Sequence, residues 1–127
     1  MLALAGCAGA PSGTGSTPLA TPESVRAAVA ARAGDRWDAI VKNELDRAYA
    51  FLSPGSRATI SLEKYKTTAR RRDFREGKVD SVACEADACS VRVLVTYDHP
   101  KMKGITTPIM ESWIIIDGQA WYVPLGG

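Results

Sequence analysis

The chain has 127 residues, of which 46% are hydrophobic and 24% charged, and its formal net charge is +2. That length holds one domain, and the composition excludes both wholesale disorder and a multi-span membrane protein. Acidic and basic residues interleave, without the segregated basic excess of a nucleic-acid binder, and no apolar run reaches the roughly eighteen residues of a transmembrane helix.

In chain order, the first feature is Leu4-Ala5-Gly6-Cys7. It resembles the lipobox of bacterial lipoproteins, in which a Leu and two small residues precede the cysteine that receives diacylglycerol. The resemblance implies lipid attachment at Cys7, a membrane as partner, and residues 1–6 as the remnant of a signal peptide. A complete leader carries a basic segment and a longer apolar stretch. Only Met1 to Gly6 precede the cysteine, so the expectation is a start assigned too late or a trimmed leader. Ala8 to Pro22 reads AGAPSGTGSTPLATP, uncharged and rich in Gly, Pro, Ser and Thr. Such a stretch buries too little surface to offset its chain entropy, so 7–22 is expected to be a tether and 23–127 the domain.

Pro22 suits a first helical turn. Val25, Val29, Ala33, Trp37, Ile40 and Val41 then recur on one helical face, with Arg26, Arg32, Arg36, Asp38 and Lys42 on the other. Gly34 allows a bend. Leu45, Ala48, Tyr49 and Leu52 make a second short helix, ended by Ser53-Pro54-Gly55, and Ser61 caps a third running toward Arg70. After Arg75 the period switches to two. Strands are expected over 78–84, 88–97, 105–116 and 119–124, the last two joined by an Asp117-Gly118 hairpin turn. That turn pairs Ile116 with Gln119, Ile114 with Trp121 and Trp113 with Tyr122. Helices followed by an antiparallel meander predict an α+β domain with its helices on one sheet face.

Cys84 and Cys89 bracket Glu85-Ala86-Asp87-Ala88. Facing strand positions bring Cβ atoms within about 4.5 Å, near what a disulfide needs, and such a bond implies export. Two cysteines and a distant His99 do not supply four zinc ligands, so no metal is expected. No cofactor motif appears.

Arg36-Trp37-Asp38-Ala39-Ile40, Asp46-Arg47-Ala48-Tyr49-Ala50-Phe51-Leu52-Ser53-Pro54, the Cys-bracketed hairpin and the closing Trp121-Tyr122-Val123-Pro124 together resemble small bacterial proteins of the nuclear-transport-factor-2-like (cystatin-like) superfamily. The resemblance implies a strongly curved sheet that closes with the helices into a cone, with Trp37, Tyr49, Trp113 and Tyr122 lining a pocket. Enzymes of that fold use carboxylates, His or Tyr inside the cone. Here His99 sits between Asp98 and Pro100 and reads as an exposed turn residue. Asp80 and Glu111 interrupt apolar strand faces, and both are read as lying on a solvated face or edge. Arg70-Arg71-Arg72-Asp73-Phe74-Arg75 is the one basic concentration and reads as a solvated helix end.

The expectation is a lipid-anchored, non-enzymatic binding domain in a bacterial cell envelope, in the periplasm or otherwise outside the cytoplasmic membrane. Its partner would be an envelope protein or a small apolar ligand. The alternatives are a small isomerase or dehydratase of the same fold and a structural subunit of an envelope complex.

Overall fold

A computed structural model describes residues 21–69 and 73–124. Cys7, most of the 7–22 tether and Arg70 to Arg72 lie outside the described residues. The elements are α1 (Pro22–Val41), α2 (Leu45–Tyr49), α3 (Pro54–Thr59) and α4 (Leu62–Ala69), then β1 (Phe74–Glu85), β2 (Ala88–His99), β3 (Met102–Ile116) and β4 (Gln119–Val123).

Local chemistry sets the helix starts. Thr21 Oγ1 accepts from the Ser24 N–H at 3.0 Å, and Ser24 Oγ accepts from the Thr21 N–H at 3.2 Å. This reciprocal cap satisfies two amides that α1 leaves orphaned, and Pro22 occupies the turn where its missing N–H is harmless. Gly34 produces no break. The Ser53-Pro54-Gly55 stretch, expected to end a helix, begins α3 instead: Ser53 Oγ accepts from the Ser56 N–H at 3.1 Å and Pro54 takes the first turn. Ser61 Oγ accepts from the Lys64 N–H at 3.1 Å and starts α4.

The four strands form one antiparallel sheet in the order β1-β2-β3-β4. Ile116 pairs with Gln119, Ile114 with Trp121 and Trp113 with Tyr122, the register expected from the Asp117-Gly118 turn. Both turn residues have positive φ, 52° and 76°, as a type I′ turn requires. β1 begins four residues earlier than expected, at Phe74, and is irregular at Arg75 and Asp80.

α1 lies along the inner face. Its Arg32 Nε donates to the Ala120 carbonyl at 2.9 Å near the β3–β4 turn. One turn on, Arg36 meets Glu111, and Trp37 then sits over Gly77 of β1. The helix therefore starts at the hairpin-turn end of the sheet and runs toward the β2–β3 turn. Beneath it Val29, Ala33 and Trp37 pack on Cys89, Val91, Val93, Val95, Trp113 and Ala120. A second cluster, Ala39, Leu45, Ala48, Leu52 and Tyr65, joins α1 to α2 and α4. The free edge of β4 is closed by chain from the helical layer: the Tyr122 N–H donates to the Phe51 carbonyl at 2.8 Å and the Ser53 N–H to the Tyr122 carbonyl at 2.9 Å. Among the described residues, no helix is long and apolar enough to cross a membrane.

Candidate functional site

The inner face of the sheet carries one buried charge. Glu111 projects from β3 beneath α1 and is 5% exposed. Its Oε2 accepts from Arg36 Nη1 and from Trp37 Nε1, each at 2.7 Å, and its Oε1 accepts from Trp113 Nε1 at 3.1 Å. The guanidinium of Arg36 lies 3.6 Å from the centroid of the Tyr122 ring, and Trp113 packs on that ring at 5.8 Å. Buried charges persist when paired and hydrogen-bonded, and here one carboxylate is held by a cation and two indoles. Arg36 Nε is buried and has no hydrogen-bond partner among the described residues. Burial pushes the Tyr122 phenol above its ordinary value, with the Arg36 charge opposing.

The pattern of charges on helix and strand did not disclose this site. Arg36 falls on the nominally polar side of α1 and Glu111 was expected in solvent; the structure buries both. The one usable signal was Glu111, a carboxylate at an otherwise apolar strand position that needs a cation to answer it. Asp80 does face outward, at the β1 irregularity, where its Oδ2 accepts from Arg92 Nε at 3.1 Å. His99 is exposed in the β2–β3 turn, its Nδ1 accepting from the Lys101 N–H at 3.1 Å. Asp80, His99 and Glu111 thus occupy an outer face, a turn and an inner face, and share no cavity.

Of the four aromatics expected to line a pocket, Trp37, Trp113 and Tyr122 gather around Arg36 and Glu111. Tyr49 does not. It stacks on Tyr65 at 5.5 Å and donates to the Ile60 carbonyl at 2.6 Å, within the helical layer. Two cavities lined by described residues touch the indoles. One, about 390 Å3, includes Ser90, Ser112, Trp113, Ile114 and the Cys84–Cys89 pair. The other, about 130 Å3, is bounded by Trp37, Phe74, Val95, Tyr97, Thr107 and Ile109.

Cys84 and Cys89 are directly cross-strand, with sulfurs 2.09 Å apart. Among the described residues no three His, Cys, Asp or Glu side chains cluster as metal ligands.

No protein-family model matches the chain, and no curated protein does. Solved structures do match. A SEC-C motif containing protein from Psychrobacter arcticus superposes with a TM-score of 0.63 over 87% of this chain at 11% identity. A second, from Rhodopseudomonas palustris, gives 0.57 over 85% at 14% identity. This chain spans 62% of the first protein and 79% of the second. At such identities the likeness shows the fold alone.

The resemblance to the nuclear-transport-factor-2-like superfamily is thereby corrected: the matching structures are SEC-C motif containing proteins, of a different fold family. The sheet is an open four-stranded layer, and the motifs that suggested a cone have local duties. Tyr49 ties α2 to Ile60, Leu52 bridges Tyr122, and Ser53-Pro54 starts α3.

Proposed function

We propose that this chain is an exported protein, held to a membrane of the bacterial cell envelope by a lipid on Cys7, whose α+β domain binds a partner without catalysing a reaction. The cysteine usage carries the reading. Cys84 and Cys89 lie at bonding distance across a hairpin, an arrangement that persists in oxidising compartments. The third cysteine stands in Leu4-Ala5-Gly6-Cys7, ahead of an uncharged Gly/Pro/Ser/Thr stretch. Binding rather than catalysis is supported by the scatter of Asp80, His99 and Glu111 and by the three donors that already engage the Glu111 carboxylate.

Mass spectrometry of the protein expressed in a bacterial host from its native gene tests this. The expected product carries a diacylglycerol mass on Cys7 and lacks two hydrogens across Cys84 and Cys89, and Cys7→Ser moves it out of the membrane fraction. A soluble, unacylated, fully reduced chain overturns the proposal.

A further inference from the structure

We infer that the 130 Å3 cavity beside Trp37 is a binding site for a monocyclic aromatic compound bearing a hydroxyl group. This deepens the binding role proposed above by naming a ligand class, and it rests on that reading. The size argument comes first. An enclosed apolar cavity of about 150 Å3 is large enough to take up benzene. The pocket here has a similar volume and opens to solvent on one side; buried Trp37 and Val95 form its floor, and half-buried Phe74, Tyr97 and Ile109 its apolar and aromatic walls.

The walls are set before any ligand arrives. Trp37 is fixed three ways: its Nε1 donates to Glu111 at 2.7 Å, its ring meets Phe74 edge-to-face at 5.3 Å and 89°, and it lies flat against Gly77. A Cβ at Gly77 would fall 2.6 Å from the indole, so only glycine lets the ring settle this deeply on β1. With the indole drawn onto β1, the space over Val95, Thr107 and Ile109 stays unfilled. A preformed site of this kind gives up little conformational freedom on binding.

The sixth wall residue supplies the polar contact. Thr107 is half-buried, and its hydroxyl has no hydrogen-bond partner among the described residues. Apolar pockets take their orientation and selectivity from a few such polar groups, and a hydroxyl engaged by no described residue is free to meet one on a ligand.

The test uses the full chain, isotopically labelled, titrated with phenol and with benzene and followed by NMR. Saturable shifts are expected at Val95, Thr107 and Ile109, with Val91 and the Cys84–Cys89 hairpin unmoved. Phenol should bind about 5- to 10-fold more tightly than benzene, the worth of one hydrogen bond. Thr107→Val should erase that preference while leaving benzene binding unchanged, and Thr107→Phe should fill the cavity and abolish both. Shifts that grow linearly without saturating, shifts centred on the disulfide hairpin, or an undiminished phenol preference in Thr107→Val would each overturn the inference. Acylation of Cys7 is read separately by mass, so loss of phenol binding leaves the envelope assignment standing, and loss of the acyl mass leaves the cavity result standing.

Discussion

A carboxylate on an inward strand position is tolerated when its charge is answered, and at Glu111 Arg36 and two indole N–H groups answer it. Removing one partner of such a buried pair typically costs about 3–5 kcal/mol. Glu111→Ala is therefore expected to lower the urea-unfolding free energy by that amount. Arg36→Met combined with Glu111→Leu should cost less than the two single changes summed, because neither charge is then left alone. Tyr122 offers a pH test. Its phenol is raised by burial, so the folded state favours the neutral form. The associated stability is complete below the ordinary phenol value, near pH 10, and is lost as pH rises through the folded value. Unfolding free energies measured between about pH 9 and 11 should fall more steeply in the native chain than in Tyr122→Phe. Glu111 was visible in the sequence as an interruption of an apolar face. Periodicity names a face but not a partner, and the partner lies 75 positions away.

At the scale of elements, what the sequence disclosed best was local. The Asp117-Gly118 turn fixes the β3–β4 register through two consecutive positive φ angles, so three cross-strand pairs follow from two residues. The β1–β2 turn uses alanine where glycine is easier: Ala86 has φ 55°. Left-handed backbone costs an L-residue about 1–2 kcal/mol, against the extra chain entropy of glycine. Ala86→Gly should raise the thermal midpoint, with a gain of about 0.5–1 kcal/mol after that offset. The disulfide closes a short loop, so Cys84→Ala with Cys89→Ala should cost about 2 kcal/mol by chain entropy, read as a lower urea midpoint. Gly77→Ala should cost about 1–3 kcal/mol by overpacking Trp37, and Trp37→Phe in the same chain should recover part of that loss. α3 was missed because Ser-Pro-Gly serves a helix start as well as a helix end. What decides is whether the serine hydroxyl finds an amide ahead of it, as Ser53 finds Ser56.

For the whole molecule, helices before a meander were enough to give an α+β layer, and the sheet order follows from three successive hairpins. The choice of fold family was not legible. It depends on how far the sheet curves and on what covers its faces, and the 48–54 and 121–124 segments answer instead to capping and edge closure. The long separation of Arg36 from Glu111 also bears on how the chain reaches its final state. Cys84 and Cys89, five positions apart, meet as soon as one hairpin forms. Arg36 and Glu111 cannot meet until a closure spanning 75 positions brings α1 onto β3. Such a late contact contributes little to the transition state, so weakening it should leave the refolding rate nearly unchanged and speed unfolding. The ion pair then acts as a latch on the lifetime of the folded chain.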